Sequence, residues 1–340
     1  MSDTLLSVEN LRTVFHTDKE TIRAVDGVSF DVQRGETVGL VGESGSGKSV
    51  TARSVLGLVE EPGVIEEGSI QFRGDELVGG NWDEHRGDIA IVFQDPMNSL
   101  NPVYTVGNQI KEALRIHQDL RGQEATDAAI ELLEDVGIPD AARRVSEYPH
   151  QFSGGMRQRA VIAIALACDP DLLVCDEPTT ALDVTIQAQI LELLDDLQRE
   201  ENLGVLFITH DMGVIEETTD RVNVMYAGEF VESAPVDELF DNPRHPYTRG
   251  LLASIPGRTA GDERLPTIEG EVPTSTSGPT SCRFAPRCPH AFDDCEQVHP
   301  ERIDVGDGTV DHEAACLLYD DRFEESAPEE KFADDGGERA

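Results

Sequence analysis

The stretch Gly42-Glu43-Ser44-Gly45-Ser46-Gly47-Lys48-Ser49 decides the fold, because it fits the pattern GxxxxGK[ST]. It follows a short apolar strand at residues 37–41 and opens a helix-forming stretch at residues 48–58. Glycines in such a turn let backbone N–H groups and the helix N-terminus point at an anion. The octapeptide therefore predicts a phosphate-binding loop rather than a Gly-rich turn without a ligand. In it, Lys48 neutralises the β- and γ-phosphates and the Ser49 hydroxyl binds Mg²⁺.

A second apolar strand, Leu172-Leu173-Val174-Cys175, runs directly into two acids, Asp176 and Glu177. At the end of a buried strand, Asp176 is placed to hold Mg²⁺, and Glu177 to polarise an attacking water. An isolated acidic pair would better fit the cap of the next helix. Downstream of a phosphate-binding loop, the catalytic interpretation is favoured.

The coarse pattern along the chain predicts an α/β fold. Residues 7–75 favour antiparallel strands, since Thr21–Gln33 alternates apolar and polar side chains. Residues 105–148 have helical periodicity. Strand patterns at residues 172–176 and 205–209 flank a helical stretch, and this β-α-β order predicts a parallel sheet.

A further octapeptide, Phe152-Ser153-Gly154-Gly155-Met156-Arg157-Gln158-Arg159, forms a second candidate anion cradle at a helix start. With the two earlier motifs in order, it resembles the signature of the ATP-binding subunits of ABC transporters. Phe and Met stand where many members have Leu and Gln. In that family the signature acts on ATP held by the opposite subunit, which implies nucleotide-binding roles for Ser153, Gly154, Gly155 and Gln158.

Other segments extend the resemblance. Gln94, in Ile91-Val92-Phe93-Gln94-Asp95-Pro96, matches the family's Q-loop, and Ala181-Leu182-Asp183 matches its D-loop. His210 follows the strand at residues 205–209 and matches the switch histidine. The resemblance implies that Glu177, His210 and Gln94 act in catalysis and that Gln94 contributes to the nucleotide and Mg²⁺ sites. It also implies that Asp183 lies at the nucleotide and that Phe15 stacks on adenine.

The resemblance implies a P-loop NTPase with a RecA-like parallel sheet core, an N-terminal antiparallel β subdomain and an α-helical signature subdomain. The expected divisions are an ATPase domain at residues 1–235, with its helical subdomain at about 95–160, and a small Cys-containing extension at 236–320. An acidic, disordered tail is expected at 321–340.

The C-terminal half narrows the resemblance. Residues 242–252 and 93–102, together with Cys282-Arg283-Phe284-Ala285-Pro286-Arg287-Cys288-Pro289, are similar to oligopeptide/dipeptide importer ATPases, and most of all to their D-type subunit. This implies an F-type partner ATPase or a second copy of the chain, two transmembrane permease subunits and an extracellular solute-binding protein. Nickel and oligosaccharide importers share the family, so the cargo stays open. Long coiled-coil insertions, a second motif set and a fused membrane domain would indicate other ABC classes, and none is apparent.

Four cysteines, Cys282, Cys288, Cys295 and Cys316, have the spacing C-x5-C-x6-C-x20-C. A cytosolic chain favours metal binding over two disulfides, and four thiolates suit either Zn²⁺ or an iron–sulfur cluster. Unliganded thiols are the third possibility. The resemblance to the D-type subfamily implies a [4Fe–4S] cluster. Cys168 and Cys175 lie in apolar runs and are predicted core residues.

The net charge of −40 comes from 67 acidic and 27 basic residues, of which only four are lysines. This composition excludes a binder of nucleic acid, which needs clustered Lys and Arg. The charge favours a cytosolic protein of a halophile, such as a haloarchaeon, over an ordinary acidic protein with an Arg-favouring codon bias.

No segment has the length of a membrane span, since the longest apolar run, at residues 160–168, is far shorter than the roughly 18 residues required. The first residues have no signal-peptide pattern. Together with the resemblance, these features predict a peripheral protein at the cytoplasmic face of the membrane.

Overall fold

The computed structural model describes residues 4–80, 82–93, 99–180, 182–255 and 267–328. Its strands are β1 (Thr4–His16), β2 (Thr21–Gln33), β3 (Thr37–Val41), β4 (Gly63–Phe72), β5 (Asp75–Glu76), β6 (Ile89–Val92), β7 (Leu172–Asp176), β8 (Gly204–Thr209), β9 (Arg221–Tyr226), β10 (Glu229–Pro235), β11 (Ile303–Asp304) and β12 (Glu313–Ala314). Its α-helices are α1 (Lys48–Val55), α2 (Val106–His117), α3 (Gly122–Asp135), α4 (Ala141–Arg144), α5 (Gly154–Leu166), α6 (Val184–Glu201), α7 (Met212–Thr218), α8 (Val236–Asp241) and α9 (Pro246–Ala253). Short 3-10 helices span Trp82–His85, Pro149–Gln151, Ala285–Arg287, Asp293–Glu296, Leu317–Tyr319 and Asp321–Phe323.

An eight-stranded sheet in the order β11-β12-β10-β9-β3-β8-β7-β6 forms the centre of the molecule. Strands β9, β3, β8, β7 and β6 are parallel, which confirms the predicted parallel core. The register aligns Val41 with Thr209 and Asp176 with Ile208. The carboxyl ends of β3, β7 and β8 therefore meet at one edge of the sheet.

Both faces of this sheet are covered, which explains why its strands are apolar runs rather than alternating ones. In β8, Val205 and Phe207 face one hydrophobic cluster, while Leu206 and Ile208 face the other. Burial of each such side chain contributes about 1.5–3 kcal/mol. The strand ends are consequently held by cores on two sides.

A second sheet, in the order β2-β1-β4-β5, is antiparallel throughout and confirms the predicted antiparallel layer. The alternation in β2 places Val28, Phe30 and Val32 in the core that this layer shares with α1. Helix α1 ends at Val55, before the predicted end at residue 58, because Gly57 adopts a left-handed backbone with φ of +66°.

The predicted helical region at residues 105–148 comprises α2, α3 and α4. Helix α5 follows and packs against both the central sheet and the preceding helices. Thr105 caps α2 by accepting a hydrogen bond from the Asn108 N–H. The apolar run at residues 160–168 includes the last seven residues of α5, of which Ala160, Ile162 and Ala163 are fully buried. No helix in the described ranges is long and apolar enough to cross a membrane.

The C-terminal extension shares the central sheet with the first 235 residues. Strand β12 pairs with β10 through Glu232 and Ala314, and Phe284 belongs to the main core. The predicted boundary at residue 235 thus crosses a continuous sheet. Residues 267–281 contain no helix or strand. The 3-10 helix Asp321–Phe323 is folded against the extension, so the predicted disorder does not begin at residue 321.

Acidic side chains are concentrated at the surface. Within the part of the chain that the structure describes, the buried acids are Asp26, Asp176, Glu232 and Asp320. The remaining described acids are exposed or half-buried, so the exposed ones repel one another at low ionic strength.

We expect the melting temperature to rise when NaCl increases from 0.01 M to 1 M, because the Debye length falls from about 30 Å to about 3 Å. Circular dichroism melts across this range would measure the effect, with sucrose at matched osmolality as the uncharged control. A melting temperature that is flat with salt would contradict the predicted halophilic adaptation.

Candidate nucleotide site

The loop between β3 and α1 has a backbone that only glycine accommodates at two positions. A Cβ on Gly42 would lie 2.2 Å from the Met225 carbonyl oxygen, and one on Gly47 would lie 2.3 Å from the Ala24 carbonyl oxygen. Gly45 also has a positive φ, of +82°, but a Cβ there would meet nothing within 4 Å. The outer part of the loop therefore faces open space, with exposed Ser44 and Gly45, while its two ends are wedged against β2 and β9.

The start of α1 fits an anion. The N-cap residue is Gly47, which has no side chain to satisfy the first-turn N–H groups. Lys48 is 5% exposed, and its ammonium donates to the carbonyl oxygens of Gly42 at 2.7 Å and Glu43 at 2.9 Å. Burial lowers the pKa of Lys48, while the nearby carboxylates oppose this shift. A buried cation and free amide donors thus lie in one loop.

Ser49 and Asp176 lie side by side, as the predicted Mg²⁺ site requires. The Ser49 hydroxyl donates to Oδ1 of Asp176 at 3.1 Å. Burial raises the pKa of Asp176, and the hydrogen bond from Ser49 opposes this effect. Among the described residues, no three His, Cys, Asp or Glu side chains are grouped to hold a metal ion. One carboxylate and one hydroxyl nevertheless suit Mg²⁺, which keeps several waters and takes phosphate oxygens as ligands.

Glu177 and His210, which directly follow β7 and β8, are in contact. His210 Nδ1 lies 3.1 Å from Oε1 of Glu177, and the Thr180 hydroxyl donates to Oε2 at 2.9 Å. Glu177 itself has a left-handed backbone with φ of +50°. Both carboxylate oxygens are therefore oriented by neighbours at the edge of the sheet where Asp176 also lies.

The second predicted cradle is built by α5 and α6. Ser153 caps α5, because its hydroxyl accepts from the Met156 N–H at 3.3 Å. Gly155 approaches α6 closely, since a Cβ there would lie 2.6 Å from Ile186. Asp183 caps α6 by accepting from the Ile186 N–H at 3.0 Å. Ser153, Gly154 and Asp183 are exposed, so they are available to a partner.

Gln158 does not belong to that exposed cradle. Its side chain is fully buried in α5, and neither its amide oxygen nor its amide nitrogen has a hydrogen-bond partner in the described structure. In this conformation the helix turns Gln158 toward the core, and its contact with a nucleotide stays a prediction.

Three other predicted residues have no outcome in this structure. Gln94 and Ala181 lie outside the described residues. Phe15 is half-buried on β1, and its ring edge lies against Gly63, where a Cβ would be 2.7 Å from Cε1. Its stacking on adenine stays a prediction.

Sequence reasoning missed three residues that act on the loop and on Glu177: Thr180, Tyr247 and Arg287. Tyr247 accepts a hydrogen bond from the Glu43 N–H, and Arg287 pairs with the Glu43 carboxylate. Thr180 lies three residues from Glu177, so a local search would have found it. The other two lie more than 200 residues from the loop, and no local signal points to them.

The four extension cysteines lie in one small region. Cys295 is buried, and the other three are half-buried. The Cys282 N–H donates to the Cys295 carbonyl oxygen at 3.0 Å. Burial raises the pKa of Cys282 to about 12 and of Cys288 to about 11, and the other thiols reinforce the shift. Among the described side chains, no three metal-ligating groups are arranged to hold an ion, so the predicted cluster stays a prediction.

Comparison with known proteins adds to this geometry. The family described as ABC transporter matches residues 25–180, and the oligopeptide/dipeptide transporter C-terminal region matches residues 231–295. The chain is 50% identical over 329 residues to the oligopeptide transport ATP-binding protein AppD of Bacillus subtilis, covering 95% of this chain and 99% of that one. The chain belongs to the ABC transporter ATP-binding family.

Solved structures of ABC ATPases agree with this assignment. The chain is similar to cbiO1 of Clostridium perfringens, with a TM-score of 0.62, 27% identity and coverage of 71% of this chain and 92% of that one. It is also similar to the dimeric ATP-binding cassette MJ0796 bound to ADP and phosphate, with a TM-score of 0.61, 28% identity and coverage of 68% and 99%. As an ABC ATPase, the chain binds ATP with Mg²⁺ and hydrolyses it, and the predicted P-loop NTPase fold is confirmed.

We expect Glu177→Gln to lower kcat for ATP hydrolysis by at least about 100-fold, the usual scale for loss of a general base, while ATP still binds. Thr180→Val, which removes only the hydroxyl that orients Oε2, should cause a smaller loss. Phosphate release at saturating ATP by the assembled complex measures both. Undiminished hydrolysis by Glu177→Gln would overturn the role of this residue.

Proposed function

We propose that this ABC ATPase powers the uptake of dipeptides and oligopeptides through partner membrane subunits. The observation that carries the proposal is the match of residues 231–295 to the oligopeptide/dipeptide transporter C-terminal region. In this structure that region packs on the ATPase core, through β10, α9 and the contact of Tyr247 with the phosphate-binding loop. A nickel or oligosaccharide importer of the same family is the alternative.

The proposed reaction is the in-line attack of water on the γ-phosphate of ATP. Mg²⁺, when bound, neutralises charge on the phosphate oxygens. Lys48 and the first-turn amides of α1 stabilise the charge that develops on the transferred group. Glu177 orients or deprotonates the water, with its carboxylate fixed by His210 and Thr180. His210 is placed to sense the γ-phosphate.

A second ATPase subunit is proposed to complete the site. Ser153, Gly154 and Asp183 form an exposed surface, and the neighbouring Val184 is 83% exposed. An exposed apolar residue beside two helix N-termini suits an interface that closes over a nucleotide held by another subunit. The partner is a related F-type subunit or a second copy of this chain.

The membrane subunits are proposed to contact the opposite side of the nucleotide site. A cleft of about 830 Å³ lies between α1 and the helical subdomain and is lined by Leu58, Trp82, Phe93, His117 and Ile164. It adjoins Ser49 and Asp176, so movement of a segment in the cleft would be felt at the Mg²⁺ ligands. The chain would thus lie at the cytoplasmic face of the membrane, with the solute-binding protein acting from outside through two permeases.

The cargo is tested by reconstituting the chain with its partner ATPase and two permeases in proteoliposomes. The solute-binding protein is then added with a dipeptide, an oligopeptide, Ni²⁺ or an oligosaccharide, at equal concentrations. We expect ATP hydrolysis and uptake to increase only with a peptide, and Glu177→Gln to abolish both. Stimulation by Ni²⁺ or an oligosaccharide alone would replace the proposed cargo.

We also propose that Cys282, Cys288, Cys295 and Cys316 hold a [4Fe–4S] cluster. The proposal is supported by their spacing and by the mutual influence of their thiols, since all three other cysteines raise the pKa of Cys316. Iron would bind the four sulfurs as thiolates and unite them in one ligand shell. Its role would be structural, because the extension has a small apolar cluster of its own.

Protein purified without oxygen should contain about four iron atoms and matching acid-labile sulfide per chain. Cys316→Ser should lower both, whereas the matched variant Cys168→Ser, outside the group, should not. Colourless, iron-free protein would reject the cluster, and zinc in its place would assign the same thiols to Zn²⁺.

A further inference from the structure

Two residues of the C-terminal extension contact one residue of the phosphate-binding loop. The Glu43 N–H donates to the Tyr247 hydroxyl at 2.8 Å. Arg287 binds the Glu43 carboxylate with both terminal nitrogens, Nη1 to Oε2 at 2.7 Å and Nη2 to Oε1 at 3.0 Å. Such a bidentate ion pair holds the carboxylate in position and neutralises its charge.

Arg287 is itself held rigidly. Its side chain is 6% exposed, and its guanidinium donates to the carbonyl oxygens of Ile268, Glu269 and Gly270 at 2.8 to 3.2 Å. It also lies over the Tyr226 ring, 5.7 Å from the centroid. These partners fix the position of the Arg287 guanidinium. Because Glu43 is paired with it, the position of the Glu43 carboxylate is fixed as well.

Glu43 is an unfavourable residue in a polyphosphate site unless its charge is neutralised. It is the second residue of the loop, and its carbonyl oxygen accepts a hydrogen bond from the Lys48 ammonium at 2.9 Å. The Glu43 charge also acts on Lys48, where it opposes the lowering of the pKa by burial. A negative charge that interacts with the Lys48 ammonium also interacts with phosphates bound by Lys48, and it repels them.

We propose that Arg287 is a positioning residue of the ATP site, which neutralises the Glu43 carboxylate and holds it away from the phosphates. The C-terminal extension would then determine nucleotide affinity directly. This inference rests on ATP binding at the phosphate-binding loop and is independent of the cargo.

The test is a double-mutant cycle on the full chain, with the affinity for MgATP measured by calorimetry in molar KCl. Arg287→Gln should weaken binding about tenfold, equivalent to ~1.4 kcal/mol, because it leaves the Glu43 charge unpaired. Glu43→Gln should tighten binding about threefold, ~0.65 kcal/mol, since Arg287 then adds a net positive charge near the phosphates. The double variant should bind MgATP with an affinity within about twofold of that of the unmodified chain. A difference of that size lies within the usual error of adding independent mutational effects.

A purely structural role for Arg287 gives a different pattern. If Arg287 only braces residues 268–270, the double variant will bind as weakly as Arg287→Gln, and this result would overturn the proposal. Weaker binding by Glu43→Gln would overturn it as well, and that variant remains informative if Arg287→Gln does not fold.

Two controls separate the proposal from other effects. Arg302→Gln removes another arginine of the extension, which pairs with Glu313 and not with the loop, and should leave MgATP affinity unchanged. In the assembled complex, Arg287→Gln should raise KM for ATP more than it lowers kcat. Failure of the unmodified chain to bind MgATP would instead contradict the nucleotide assignment itself.

Discussion

The parallel pairing of β3, β7 and β8 is the constraint on which the rest of the structure depends. Hydrogen bonds fix the register, and the hydrophobic clusters on both faces prevent a strand from slipping, because a shift of one residue would exchange the two sets of buried side chains. The three strand ends then deliver the loop glycines, Asp176 and His210 to one edge. Catalytic geometry here is a result of core packing far from the catalytic atoms.

The C-terminal extension is integrated into the fold of the ATPase and is not a separately packed domain. It adds β12 and β11 to the central sheet, contributes Phe284 to the main core and reaches the phosphate-binding loop through α9 and the 3-10 helix Ala285–Arg287. Between these parts, the Tyr226 ring packs edge to face with Tyr247 and Phe284, and the latter two rings are tilted against each other, with centroids 4.7 to 5.4 Å apart. Aromatic contacts of this kind contribute beyond their buried area, so the loop is supported from behind by a rigid cluster.

Local chemistry could be predicted from the sequence and long-range placement could not. The glycine pattern predicted the loop, and the apolar run before Asp176 predicted a buried strand, because both signals lie within a few residues. The burial of Gln158 could not be predicted from the motif, because the helix phase decides which of its side chains are exposed. The sequence did not indicate that Arg287 contacts Glu43, because only the folding of the whole extension brings these two residues together.

The hydrogen bonds of Lys48 have a consequence for selectivity. An ammonium has three N–H donors, and Lys48 directs them at Gly42 O, Glu43 O and, at 3.5 Å, Ser46 Oγ. A ligand oxygen must therefore displace an acceptor that the loop already provides, and binding is an exchange rather than an addition. Only a ligand that offers several strongly charged oxygens at once compensates for the hydrogen bonds to the loop that the ammonium loses in the exchange. The loop is thereby biased against small singly charged anions and toward polyphosphates.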